Sequence, residues 1–238
     1  MQEVKDLIDD AANIVVFTGA GISTASGIPD FRSNKGLAGA DIKFEEILSI
    51  QHFKKNPENF WNDIFYTLKW DELSAKEPNT GHDWIASLQE EGKKVTVITQ
   101  NIDGLHQKAG SENVLELHGN LHKGYCMKHK HIDDISYESK QIPRCHICDA
   151  PLKPLVVLYG EDLPEFYRAI DYAIKADVYI TMGTSLNVFP ANTLVNYARD
   201  MNQAKTILIN QTPTSLDSEY DIIHHMNIVD FVNQYQAL

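Results

Sequence analysis

Only three cysteines occur in 238 residues, too few for the disulfide framework of a small secreted protein. No apolar stretch approaches the roughly 18 to 20 residues a helix needs to cross a bilayer, so no membrane partner is expected. The first twelve residues are acidic and amphipathic. They lack the basic and apolar regions of a signal peptide. Together these absences predict a reducing, cytoplasmic location. Cations are scarce too: 21 Lys and Arg stand against 33 Asp and Glu, a formal charge of −12. Binding to nucleic acid relies on cations facing phosphates, so no nucleic acid, sequence-specific or otherwise, is expected as a partner. No internal repeat, low-complexity tract or long flexible linker is present.

What remains is an ordinary globular composition, 43% hydrophobic and 23% charged. Short β-branched runs alternate with longer helical patterns. Residues 14–18, 95–99, 178–182 and 206–210 read as strands. Each is apolar nearly throughout, as when both faces of a parallel sheet are covered. Residues 114–117 and 222–223 are shorter candidates. Helical patterns occupy residues 3–12, 59–69, 82–91, 165–175 and 191–202. Strand alternating with helix predicts an α/β fold with a mostly parallel sheet. Two regions break the rhythm. Residues 33–78 hold helix but no good strand, and residues 121–154 are rich in Cys, His, Lys and Pro with little periodicity. Both read as insertions forming a second, smaller domain.

Each strong strand runs into a polar or Gly-rich turn. These are Gly19-Ala20-Gly21-Ile22-Ser23, Gln100-Asn101-Ile102-Asp103, Gly183-Thr184-Ser185 and Asn210-Gln211. In open α/β sheets ligands bind beyond the carboxyl ends of the strands, so four such turns would converge on one crevice. Gly19 and Gly21 would allow close backbone approach to a phosphate at a helix N-terminus. The dinucleotide fingerprint is incomplete, because Thr24 stands where a third Gly is expected. Taken alone, the pair equally fits a tight turn with no ligand.

The cysteines carry a sharper signal. Cys126-Met127-Lys128-His129 is followed, after 15 intervening residues, by Cys145-His146-Ile147-Cys148. That spacing matches two zinc knuckles, with His129 where Cys is usual. One structural Zn²⁺ on Cys126, His129, Cys145 and Cys148 is expected. His131 and His146 are rival ligands, and the two-residue spacer favours His129. His118, Asn101 and Asp103 sit at strand ends, where catalysis competes with solvation or helix capping.

Taken together, the motifs resemble one family, the sirtuins, which are NAD-dependent protein lysine deacylases. Gly19-Ala20-Gly21-Ile22-Ser23-Thr24-Ala25-Ser26-Gly27-Ile28-Pro29-Asp30-Phe31-Arg32-Ser33 resembles the family's cofactor loop. Thr99-Gln100-Asn101-Ile102-Asp103-Gly104-Leu105-His106 resembles its second block, and Leu117-His118-Gly119 its catalytic His segment. Val156-Val157-Leu158-Tyr159-Gly160-Glu161 and Gly183-Thr184-Ser185-Leu186-Asn187-Val188-Phe189-Pro190 resemble the substrate segments. The matches run in family order from residue 14 to about 212.

The resemblance implies a Rossmann-like NAD-binding domain of residues 1–32, 79–120 and 155–238. A smaller inserted domain would combine a helical module, 33–78, with a zinc module, 121–154. An acyl-lysine peptide would lie between them. It would pair as a strand with residues 159–161 and 186–188, using Val157, Tyr159, Gly160, Glu161, Leu186 and Val188. His118 would be the general base, with Asn101 the second catalytic residue. Asn101, Ile102 and Asp103 would hold the nicotinamide. Phe31 would cover the ribose. Ala20, Gly21, Thr24 and Arg32 would meet phosphate and ribose, and Gln100 the ribose. Gly183, Thr184, Ser185 and Asn210 would hold the adenosine end. The products would be deacylated lysine, nicotinamide and O-acyl-ADP-ribose.

This sequence departs from the family at His129 and at Leu158-Tyr159, where Trp-Phe is frequent. The resemblance also implies an acyl preference. Sirtuins that favour acidic acyl chains carry Tyr-x-x-Arg in the helical insert, whereas Tyr66 is followed by Lys69 here. Lysine lacks the planar fork that binds a carboxylate in two places. Ile64, Phe65 and Leu68 suggest an apolar wall suited to acetyl or longer neutral chains. Three rivals stand beside deacylation: an NAD-dependent ADP-ribosyltransferase, a zinc-ribbon nucleic-acid-binding module and a hydride-transfer dehydrogenase.

Overall fold

A computed structural model describes residues 1–30, 44–66, 68–90, 92–137 and 140–238. Six strands form one parallel sheet: β1 (Asn13–Thr18), β2 (Lys94–Thr99), β3 (Val114–Glu116), β7 (Val178–Met182), β8 (Lys205–Ile209) and β9 (Ile222–His224). Their spatial order is β3-β2-β1-β7-β8-β9. The strand order changes direction at β1, which pairs in parallel with β2 on one side and β7 on the other. Successive side chains alternate between faces. Ile14, Val16, Val95, Val97, Ile180 and Ile207 therefore face one apolar cluster. Val15, Phe17, Ile98, Tyr179 and Leu208 face the other.

Helices cover both faces. On the first, Val4 and Ile8 come from Gln2–Asp10, Trp84, Ile85 and Leu88 from Thr80–Glu90, and Phe231, Val232 and Tyr235 from Ile228–Gln236. On the second, Ala169 and Ala173 come from Phe166–Ala173, and Leu194, Val195 and Ala198 from Leu194–Asn202. All six strands expected from the sequence are present, within one or two residues at their ends. The helix Ile228–Gln236 was not anticipated. Asn227 caps it, accepting a hydrogen bond from the Val229 N–H.

The helical pattern at 59–69 is interrupted. The helix Pro57–Tyr66 stops, Lys69 takes a left-handed conformation (φ 51°), and a second helix starts at Trp70–Ser74. The break lets Leu68 and Trp70 both reach the same core. The pattern at 191–202 likewise begins with a 3-10 turn, Ala191–Thr193.

A second sheet escapes the sequence pattern. β4 (Gly119–Tyr125) pairs antiparallel with β5 (Ile132–Asp134) and β6 (Lys153–Val156), in the order β5-β4-β6. The pairing of β4 with β6 shifts register between Asn120 and Gly124. A bulge of this kind breaks the alternation by which strands are read. Gly119 has φ +80°, and a Cβ there would lie 1.9 Å from the Leu155 carbonyl oxygen. Phe53, Phe60, Trp61, Ile64 and Phe65 share one core with Leu121, Ile135, Tyr137, Val156 and Leu158. The helical and antiparallel parts are thus packed on each other. The Trp61 Nε1–H donates to the Leu152 carbonyl at 2.9 Å. No helix among the described residues is long and apolar enough to cross a membrane.

Candidate functional site

The carboxyl ends of β1, β2, β7 and β8 open into one cleft of about 2140 Å³. A single small-ligand site usually takes roughly 300–1,000 Å³, so this cleft is larger than one such site. Ala20, Gly21, Thr24, Gln100, Asn101, Ile102, Asp103, His118, Gly183, Thr184, Ser185 and Asn210 all line it. Phe31 and Arg32 lie outside the described residues. Of the expected peptide contacts, Val157, Tyr159, Gly160, Glu161 and Val188 line the cleft. Leu186 does not: its side chain is buried among the helices behind the sheet.

Two turns meet backbone to backbone at the floor. The Gly21 N–H donates to the Gly183 carbonyl at 2.8 Å. A Cβ on Gly21 would lie 2.8 Å from the Gly183 Cα, so only glycine permits the approach. Residues Ala20–Ser26 form a 3-10 run rather than an α-helix, and the Gly21 N–H is used inside the protein. The Thr24 hydroxyl donates to the Gly21 carbonyl.

His118 follows β3; its carbonyl accepts from the Val157 N–H, and its ring has one hydrogen-bond partner among the described residues. Its Nδ1 lies 2.9 Å from the Gln100 carbonyl oxygen. A carbonyl only accepts, so Nδ1 carries the proton and Nε2 of the neutral ring has its lone pair free. Burial lowers the pKa of His118 below the ordinary imidazole value, and the Gln100 bond opposes this only in part. The ring is therefore neutral near pH 7, as a base must be.

Beneath it lies a polar network. The Asn101 side-chain amide donates to the Gly19 carbonyl at 3.2 Å and to the Ser23 hydroxyl at 3.0 Å. Ser23 in turn donates to Asp103 Oδ2 at 2.7 Å. The other oxygen of Asp103 accepts the Leu105 N–H. The His82 Nε2 approaches Ser23 at 3.5 Å, and the His106 Nε2 lies 2.9 Å from the Thr18 hydroxyl. His82 and His106 stack edge to face at 4.9 Å. Burial, and then His82, push the pKa of His106 down to about 3. Sequence reasoning gave no role to Ser23, His82 or His106. A Ser four residues beyond Gly19 and a His three beyond Asp103 carry no signal until the sheet juxtaposes them. Gln100 donates to the Thr184 hydroxyl, and Asn210 to the Thr212 carbonyl.

On the peptide side, part of the backbone is already engaged. The Tyr159 N–H donates to the Leu48 carbonyl, and its carbonyl accepts from the Ile50 N–H. Tyr159 is already bridged in parallel to Ser49 and offers the cleft its half-exposed ring. The Leu186 N–H is bonded to the Thr184 hydroxyl and its carbonyl to the Asn192 amide. The carboxylate of Glu161 accepts from the Leu158 N–H and pairs with the buried Lys153 ammonium, each at 2.9 Å. Lys153 also donates to the Pro154 and Val156 carbonyls, so this buried charge is fully partnered. Among the apolar-wall candidates Leu68 lines the cleft, while Ile64 and Phe65 are inside the module core. Lys69 pairs with Glu72.

Beyond the cleft, Cys126, Cys145 and Cys148 bring their sulfurs within 4.8 Å of one another, and none is in a disulfide. The Cys126 and Cys148 sulfurs are 3.8 Å apart. Zinc–sulfur bonds of about 2.3 Å at a tetrahedral angle set sulfurs about 3.8 Å apart. The His129 N–H donates to the Cys126 sulfur and the Ile147 N–H to the Cys145 sulfur. The His129 bond, foremost, lowers the pKa of the Cys126 thiol. The cluster fits a metal ion. The exposed imidazole of His129, the fourth donor expected from spacing, belongs to neither group of clustered donor atoms; His131 stands beside Cys145 instead.

Residues 19–190, well over half the chain, match the family model described as the Sir2 family. An NAD-dependent protein deacetylase of Bacillus cereus is 41% identical over 100% of this chain and 97% of its own length. One of Clostridium perfringens is 43% identical over 94% and 93%. A Sir2 structure with a deacetylated p53 peptide and 3′-O-acetyl ADP ribose superposes with a TM-score of 0.87 at 33% identity, covering 100% of this chain and 97% of that one. Another, of Sir2 bound to acetylated peptide, gives 0.85 at 33%, with the same coverage. A parallel sheet whose strand ends converge on a half-buried imidazole, flanked by a three-cysteine module, is thus matched over all or nearly all of its length by these relatives, and the chain belongs to the Sir2 family, the sirtuins.

Proposed function

We infer that this chain is an NAD-dependent protein deacetylase, removing acetyl from lysine and giving nicotinamide and O-acetyl-ADP-ribose. The observation that carries the catalytic assignment is the bond from His118 Nδ1 to the Gln100 carbonyl. It fixes the tautomer whose Nε2 accepts a proton, and burial keeps the ring neutral. NAD, when bound, supplies a labile nicotinamide–ribose bond and the ribose hydroxyls that receive the acyl group. The protein's part is to bind, orient, exclude water and take a proton at His118 Nε2. Asn101 is the second catalytic residue, its amide oxygen left to the ligand because both amide hydrogens are held by Gly19 and Ser23. Ile102 and Asp103 complete the nicotinamide wall. Ala20, Gly21, Thr24, Phe31, Arg32 and Gln100 serve phosphate and ribose, and Gly183, Thr184, Ser185 and Asn210 the adenosine end.

The acylated peptide lies along Val157, Tyr159, Gly160, Glu161 and Val188. The shared core of residues 50–70 with Leu121, Ile135 and Tyr137 supports a division into a sheet domain, 1–32, 79–120 and 155–238, and a small domain, 33–78 plus 121–154. The metal is one structural Zn²⁺, since its cysteines stand apart from the cleft lining. Replacing His118 by Ala tests the catalytic reading. Turnover should fall roughly 10²-fold or more, with NAD affinity changed much less. Normal turnover in that variant would remove His118 from the mechanism.

A further inference from the structure

We propose that the fourth ligand of the cysteine metal site is His131, not the His129 that spacing selects. The inference rests on the metal reading above. Its basis is geometry. The His131 Nε2 lies 3.6 Å from the Cys145 sulfur. A zinc–sulfur bond of about 2.3 Å and a zinc–nitrogen bond of about 2.0–2.1 Å, at a tetrahedral angle, put those atoms about 3.6 Å apart. The same construction reproduces the 3.8 Å between Cys126 and Cys148. Each of the two distances thus has the length of a tetrahedral edge, and Cys145 belongs both to the three-cysteine cluster and to the group that holds His131.

Local structure explains why the nearer histidine is passed over. Cys126 and Cys145 open matching turns. In each, the N–H four residues on, Lys130 or Asp149, donates to the cysteine carbonyl. Lys130 and Asp149 both have φ near +60° (60° and 58°), which turns the chain back. In the second turn Cys148 reaches inward. In the first, His129 contributes its backbone N–H to the Cys126 sulfur and leaves its ring in solvent. The reversal at Lys130 then returns His131 over the site, where its carbonyl accepts the Cys126 N–H at 2.9 Å.

The ring of His131 is half-buried, and its Nδ1 is buried with no hydrogen-bond partner. Asp133 holds the ring in place, with one oxygen 3.0 Å from His131 Nε2 and the other 2.9 Å from His146 Nδ1. Nε2 cannot both donate to Asp133 and bind a cation. Binding a metal through Nε2 requires the neutral ring with its proton on Nδ1, and it exchanges the contact with Asp133 for contacts with the two sulfurs that the ring does not yet touch. His146, exposed and tied to Asp133, stays outside the ligand set.

The test compares His129→Ala, His131→Ala and His131→Cys in the full-length protein. Zinc content of the purified wild type, near one per chain, checks the underlying metal reading separately. A chelator competition should then show zinc held at least tenfold more weakly in His131→Ala and unchanged in His129→Ala. Loaded with Co²⁺, His131→Cys should gain sulfur-to-cobalt absorption by about a third, as three thiolates become four. That variant decides the matter if His131→Ala fails to fold. Zinc loss confined to His129→Ala, or a His131→Cys cobalt spectrum identical to wild type, overturns the proposal. So does unchanged zinc retention in both alanine variants.

Discussion

The six-stranded sheet and the three-stranded sheet reach order by opposite means. The first is buried on both faces by two apolar clusters drawn from five helices. The second shares the helical module's core on one side. At its far end the apolar cluster among the described residues is Cys126, Cys145 and Leu152, with Cys148 packed against them. A patch that small cannot offset the entropy of ordering its loops. The contrast teaches where a metal would matter: the parallel sheet is held by apolar burial, whereas the cysteine end offers three clustered thiols instead of a core.

Four measurements would break or sharpen that contrast. The largest effect is expected from Cys145→Ala. Zinc should fall to near zero by metal analysis. Amide exchange should accelerate across residues 121–154 while β1, β2, β7 and β8 stay protected. Uniform loss of protection would show that the two regions fold as one. Next comes the acyl group, where the helical module meets the cleft. Leu68 supplies an apolar wall, and Lys69 is paired with Glu72 outside it. Burying an unpartnered succinyl carboxylate costs several kcal/mol, so kcat/KM on an acetyl-lysine peptide should exceed the succinyl value by at least about 10²-fold. Equal values would mean that a cation reaches the pocket.

Third, Trp61→Ala removes the largest fully buried side chain of the small core and its bond to Leu152. A cost of about 3–5 kcal/mol in urea unfolding is expected, confined to the transition of the small region if the two unfold separately. The smallest effect near neutral pH concerns His106, at the carboxyl end of β1. The pKa of His106 is pushed down to about 3 against 6.5 for a free imidazole. Above pH 6.5 it is neutral in both states and contributes no pH dependence. Between 6.5 and about 3 the unfolded chain binds the proton and the folded one does not. Stability should therefore fall by at most about 1.4 kcal/mol per pH unit from this group. Nuclear magnetic resonance of the ring should show no titration between pH 8 and 5, and a midpoint near 6.5 would refute its burial as neutral.

The same contrast governs what could be read without coordinates. The apolar runs at 14–18, 95–99, 178–182 and 206–210 are strands because a parallel strand covered on both faces must be apolar throughout. Their turns were legible as turns because Gly and amide residues follow each apolar run directly, and it was the convergence of four of them that pointed to a ligand. β4 was not legible. Its register shift at Asn120 and Gly124 removes the alternation, and its Lys and His residues look like loop.

The amino-acid sequence by itself determined the α/β class, the strand ends that carry the chemistry, the three cysteines and, through its motifs, the sirtuin resemblance. These depend on local composition and on spacing along the chain. Tertiary structure alone decided which partners those residues keep. It set the tautomer of His118 through Gln100, placed Ser23 between Asn101 and Asp103, and engaged Tyr159 with Ser49 before any peptide arrives. It also turned His131 rather than His129 toward Cys145. Each of these depends on a carbonyl, hydroxyl or sulfur from a distant or reversed segment. Hydrogen bonds and ligand bonds are decided by ångströms and angles, which spacing along a sequence does not contain.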